Sequence, residues 1–235
     1  MNLPKHELLF SQIWLNKYVS SCNGDSQKAL QLYKLNIQAS QALYPLISIL
    51  EIALRNALDR ELTKHLSDSG WLITKRNQFA NHPDLIYTNS RGVQHSDHFF
   101  TEKLQMAEDK LNFRRVPVTH GKLLAELTFG FWIKFFDKCP VKVLRGCVFQ
   151  IFQNKPHIKG ALVHSHLNSI VTLRNRISHS EPICFNSSGS LCLNTIKKYE
   201  ENIIESLGWL DTDLRIWAEK MNFFKPVYNR ICTLI

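Results

Sequence analysis

No two of the six cysteines form a CxxC pair, and they are spread through segments with helical or loop patterning. That pattern excludes both a disulfide framework and a cysteine zinc site, and reads as reduced thiols, several of them buried. Glycine and proline are sparse, at 9 and 8 of 235 residues, which argues against a β-sandwich or barrel and for helices. No uninterrupted apolar run approaches the length of a membrane span, and residues 1–10 lack a basic-then-apolar leader pattern. The expected compartment is therefore the cytoplasm, with no membrane partner. No cluster of carboxylates has metal-ligand spacing, so no metal site and no cofactor is expected, and a metal-dependent nuclease is a poor fit.

The surplus is positive charge. Lys and Arg number 29 against 20 Asp and Glu, for a formal charge of +9. A balance of that sign favours an anionic partner, most economically nucleic acid, although an incidentally basic surface gives the same count. Hydrophobic residues at 44% and aromatics at 11% are ordinary for a globular chain long enough to bury a core.

Apolar periodicity predicts helices over 5–20, 27–43, 46–66, 97–112, 120–137, from Pro140 to about 153, over 157–180, and over 194–220 with a break near Gly208. In the first, Leu8, Leu9, Ile13, Trp14 and Tyr18 share one face. Asp25 or Ser26 and Thr119 are N-cap candidates, and Pro45 can start or kink a helix. Residues 67–96 lose helical spacing and read as a long irregular connection. The aromatics from Phe129 to Phe136 suit a core or dimer contact better than a base-stacking platform. Trp209 and Trp217 are expected in the core. The sum is one all-α domain over 1–235.

The densest chemistry lies in Leu173-Arg174-Asn175-Arg176-Ile177-Ser178-His179-Ser180-Glu181-Pro182-Ile183. Asn175 and His179 are four apart and so one helical turn apart on one face, with Arg174 at the edge of that face. RNA cleavage without a metal needs a base for the ribose 2′-hydroxyl, an acid for the leaving 5′-oxygen, and cationic donors for the phosphorane charge. Histidine suits the first two roles and arginine's planar fork suits the third. One copy supplies only one histidine here, and a two-fold dimer would bring two to one cleft. The structural alternative is that Arg, Asn and His simply cap a helix C-terminus. In the 46–66 helix, Glu51 and Arg55 are four apart, and Arg55-Asn56 echoes Arg174-Asn175.

Arg174 to His179 resembles the R-x4-6-H signature of the HEPN superfamily. The longer run at 173–183 is similar to that of the Abi-like (abortive infection) family of bacterial HEPN proteins. The segments EIALRNALDREL at 51–62 and LTFGFWIKFF at 127–136 agree with that family and occur in its order, over roughly residues 30–220. The resemblance implies a HEPN-like helical bundle with additional helices, usually dimeric. It also implies a metal-independent endoribonuclease acting in phage defence or as a toxin, with an antitoxin protein or small RNA as regulator. By position, Arg174 and His179 would be the catalytic pair, with Asn175 beside them. Glu51, Arg55 and Asn56 would face the same cleft, with Arg176 a further RNA contact. Family members often carry a second histidine directly after the motif histidine, and here Ser180 stands there. A non-catalytic RNA-binding protein or a helical interaction scaffold is the alternative reading.

Overall fold

The computed structural model describes residues 3–80, 82–88, 91–96, 98–154, 160–186 and 188–235. It is all-α: thirteen helices account for nearly all regular structure, joined by one small hairpin. In order these are α1 (Leu3–Phe10), α2 (Gln12–Ser21), α3 (Ser26–Leu66), α4 (Trp71–Thr74), α5 (Arg76–Phe79), β1 (Ile86–Thr88), β2 (Gln94–Ser96), α6 (Phe99–Phe113), α7 (His120–Glu126), α8 (Phe129–Ile133), α9 (Lys138–Val143), α10 (Gly160–Ser178), α11 (Leu193–Leu210), α12 (Thr212–Glu219) and α13 (Phe224–Leu234). The antiparallel hairpin pairs Ile86 with Ser96 and Thr88 with Gln94, inside the stretch expected to be irregular. Positions 97, 155–159 and 187, on which parts of two expected helices and a loop fall, lie outside the described residues.

The chain divides into two compact units, residues 1–50, 169–208 and 212–235 in the first, and 51–168 and 209–211 in the second. Helix α3 runs through the division. Its start is fixed by Asp25, whose Oδ1 accepts from the backbone N–H of Gln27 and Lys28 at 2.9 and 3.0 Å. Of the two arrangements Pro45 allows, a boundary between helices or a proline within one continuous helix, α3 takes the second. An internal proline costs about 3 kcal/mol. Burial outweighs that, because Leu43, Leu46, Ile47 and Leu50 around the proline are all within 1% of complete burial, at about 1.5–3 kcal/mol each. One 18-residue stretch of α3 is apolar enough in composition to cross a membrane. Here its buried residues recur at helical spacing, as in a core helix.

In the first unit the expected 5–20 helix is two helices, parted at Ser11 with φ 73°. Of the expected face, Leu8, Leu9 and Ile13 are exposed and Trp14 is half-buried, whereas Tyr18 is buried as expected, together with Leu15. The break near Gly208 falls instead at Asp211. Gly208 lies inside α11, and Arg215 Cδ stands 3.1 Å from where a β-carbon would be, a close approach that glycine permits. Trp217 is exposed rather than in the core, whereas Trp209 is buried in the second unit, its ring stacked 5.0 Å from His166.

The second unit is built on aromatic packing. Phe100 lies 4.6 Å from Phe135 and 5.3 Å from Phe131 between ring centroids. The single helix expected over 120–137 is interrupted at Leu127 and Thr128, both extended, and ends in a 3-10 turn over Lys134–Phe136. One straight helix would spread Phe129, Phe131, Trp132, Ile133, Phe135 and Phe136 around its whole circumference. The interruption re-aims the chain so that all six are buried. The helix expected from Pro140 to about 153 stops at Val143. Arg145 and Gly146 turn left-handed, and a 3-10 turn over Cys147–Ile151 follows. Thr119 caps α7, its Oγ1 accepting from Lys122 N–H at 3.4 Å.

Candidate functional site

Helix α10 carries the motif to its end and stops by a defined cap. Glu181 N–H donates to Arg176 C=O at 2.7 Å and Ser180 N–H to Ile177 C=O at 3.1 Å, with Ser180 left-handed at φ 57°. This is the Schellman arrangement with serine where glycine is usual. His179 is the last residue before the turn. Its N–H donates to Asn175 C=O at 3.0 Å, so Asn175 is one turn back. His179 and Asn175 are exposed and Arg174 is half-buried. Ser178 Oγ donates to Arg174 C=O at 2.9 Å.

Arg176 has a different occupation. Its guanidinium donates to the carbonyls of Pro182 and, at 2.8 Å, Phe185, and its Nε lies 3.8 Å from Glu181. The side chain is only 17% exposed. Its fork is filled by the chain that follows the motif, which leaves little of it for phosphate.

The turn is anchored a second time. Asn36 on α3, 4% exposed, accepts from the N–H groups of Ile183 and Cys184 through Oδ1 at 2.8 and 3.1 Å. Tyr18 packs edge-on to Phe185 at 5.0 Å. Its hydroxyl is buried, makes no hydrogen bond among the described residues, and burial raises its pKa. Burial also pushes the Cys184 thiol up to about 12, against the nearby Arg176 charge that favours the thiolate. Beside the anchored turn lies a groove of about 460 Å³, walled by Tyr33, Asn36, Ile37 and Tyr44 of α3 on one side and Ile177, Ser180 and Glu181 on the other.

The structure therefore brings Arg174, Asn175, Arg176 and His179 together at one helix end in the first unit. Glu51, Arg55 and Asn56 belong to the second unit, all half-buried. There Arg55 Nε donates to Asn56 Oδ1 at 3.3 Å. Sequence reading missed Asn36, although a lone amide amid Leu32, Leu35, Ala39 and Leu43 was a legible signal. It also missed Asp59, whose Oδ1 accepts from Trp71 Nε1 at 2.9 Å and meets His120 Nε2 at 2.8 Å. His164, by contrast, is held by Asp137 at 2.7 Å and His166 packs on Trp209, the surface and packing roles expected of them. Among the described residues no group of three or more His, Cys, Asp or Glu is placed to hold a metal ion.

Compared with known proteins, residues 10–184 match a family model described as Abi-like protein. The match takes in α3, α10 and the anchored turn, and ends at Cys184. No curated protein and no solved structure gives a match.

Proposed function

Because the chain belongs to the Abi-like family, whose name denotes abortive infection, we propose that it is a metal-independent endoribonuclease of the HEPN type. It would act as a toxin in phage defence or in a toxin–antitoxin pair. The observation that carries this reading is the end of α10. There a capped turn presents an exposed imidazole, His179, one turn beyond Asn175 and on the same helix end as Arg174. Imidazole is the side chain most often used for proton transfer in catalysis.

In the proposed reaction the ribose 2′-oxygen loses its proton and attacks the adjacent phosphorus. The 5′-oxygen of the next nucleotide leaves with a proton, giving 2′,3′-cyclic phosphate and 5′-hydroxyl ends. His179 serves as base or acid, Arg174 stabilises the phosphorane charge, and Asn175 positions a phosphate oxygen or the imidazole. Acid and base together require two histidines, which a homodimer with paired α10 ends supplies. An antitoxin protein or small RNA would then restrain the toxin. The net charge of +9 supports an RNA substrate.

Purified protein should cleave RNA in the presence of EDTA. His179→Ala should lose about 10²–10⁴-fold in rate, the usual contribution of a proton-transfer group. Undiminished cleavage by a folded His179→Ala variant refutes the assignment. Salt-sensitive RNA binding without fragments from wild type would instead favour a non-catalytic RNA-binding protein, a reading that the single histidine per chain at this site keeps in play.

A further inference from the structure

The groove beside the motif turn has features of a ligand site that the proposed cleavage chemistry does not use. Its volume of about 460 Å³ falls in the range of small-molecule sites, roughly 300–1,000 Å³. Tyr33, Ile37 and Tyr44 recur at helical spacing along α3 and give it an apolar wall. Ile37 and Tyr44 are exposed, at 42% and 52%.

The polar groups are placed with a direction. Asn36 is nine-tenths buried, and its Oδ1 is held by two backbone N–H donors. Those donors fix the amide orientation, because the nitrogen cannot accept them. Nδ2 makes no hydrogen bond among the described residues, yet it is not sealed from solvent, and Asn36 lines the groove. A donor of fixed orientation therefore sits at a residue that lines the groove. On the other wall, Glu181 contributes an exposed carboxylate that lies 3.8 Å from the Arg176 guanidinium. A flat ligand that offers an acceptor to Asn36 and hydrogen-bond donors to Glu181 fits this set.

We propose that this groove binds a guanine base. All four bases have a face to pack on the tyrosine and isoleucine wall. Guanine alone presents two adjacent donors, N1–H and the N2 amine, that match both oxygens of one carboxylate, and it retains O6 and N7 as acceptors for an amide. The base comes from a single strand, where its edge is free, or from a free guanine nucleotide. The strand origin rests on the ribonuclease reading above; the guanine site itself does not.

Calorimetric titration of the full chain with GMP, IMP and AMP tests the site without any cleavage. GMP should bind about tenfold or more tightly than AMP, as expected for a bidentate pair. IMP, which lacks the N2 amine, should fall between them. Glu181→Gln should remove the GMP preference, and Ile37→Arg, at an exposed position, should abolish binding of all three. His179→Ala should bind GMP as wild type does. Absence of GMP binding, equal affinity for GMP and AMP, or unchanged binding in Glu181→Gln and Ile37→Arg would each overturn the proposal. A 2′-O-methyl oligonucleotide, which cannot undergo 2′-hydroxyl attack, separates the two sources. Displacement of GMP by a guanine-containing strand and not by an all-adenine strand assigns the site to RNA. GMP binding without such displacement assigns it to a free nucleotide. Guanine binding by a protein that cleaves nothing would leave this site standing and refute the ribonuclease reading.

Discussion

Replacing Asn36 with alanine should destabilise the first unit and release the turn after the motif helix. Asn36 Oδ1 is the acceptor for two backbone N–H groups, those of Ile183 and Cys184, at residues that are completely buried. Leaving a buried donor unsatisfied costs about 1–3 kcal/mol. Two such donors give about 2–6 kcal/mol, and water entering from the neighbouring groove sets the lower end of that range. For a chain of this size a loss of 1 kcal/mol lowers Tm by about 2–4 °C. The expected fall is therefore roughly 4–24 °C in a calorimetric or circular-dichroism melt. Two units can unfold separately, so a melt alone does not locate the loss.

Hydrogen exchange locates it. Amides 183 and 184 should lose protection in Asn36→Ala while α6, in the second unit, keeps its protection. Asn36→Asp retains an acceptor for both donors and should recover part of the loss. Gln41→Ala, exposed on the same helix, should stay within about 0.5 kcal/mol of wild type. If Asn36→Ala also stays within that margin, or if 183 and 184 remain protected, the double anchor is not what holds the turn.

Two further outcomes follow from the same region. Ser180→Gly should raise stability by about 0.5–1 kcal/mol, because glycine takes the left-handed conformation at φ 57° without the β-carbon penalty, less its greater unfolded entropy; an unchanged or lower denaturation midpoint refutes this. The thiols should separate by environment, since Thr195 hydrogen-bonds Cys192 and lowers its pKa, whereas burial raises those of Cys147, to about 11, and Cys184, to about 12. Limited alkylation near neutral pH, read by peptide mass spectrometry, should modify Cys192 well before Cys147 or Cys184, and its rate should rise with pH at lower values than those two; equal rates for all three would refute the assignment.

The helical class was legible because apolar periodicity survives in single long segments. Leu46, Leu50, Leu54, Leu58 and Leu62 of α3 and Leu167, Ile170 and Leu173 of α10 are buried as spaced, while Leu162, on the same α10 face by its spacing, is exposed. Boundaries were less legible where tertiary burial competed with local rules. Pro45 signals a break, yet the leucines around it keep the helix running. The aromatics from Phe129 to Phe136 signal one helix, yet no single helix face can bury them all. Leu8, Leu9 and Ile13 show that amphipathic spacing names a face but not what covers it. Within the site, the motif helix and its end at Pro182 were readable. The partner of the anchoring Asn36 was not, because the amide's apolar setting marks it as buried but its hydrogen bond joins residues 147 positions apart.

That anchor changes how the run at 173–183 is to be understood. Arg176, Ser180, Pro182 and Ile183 build the end of the helix: one fills its guanidinium with carbonyls, one takes the left-handed turn, and the last two lie buried beneath it. The proposed chemistry falls to Arg174, Asn175 and His179, of which Asn175 and His179 are exposed. A signature of this density thus reports a cap and an anchor as much as a reaction, and its basic residues are not interchangeable. The position after His179 shows the division most clearly. A residue at 180 leaves the helix through a left-handed backbone and lines the groove. An imidazole there would belong to the groove wall instead of extending the last turn that carries His179. Serine at 180 therefore alters what the groove can accept, and leaves the backbone setting of His179 intact.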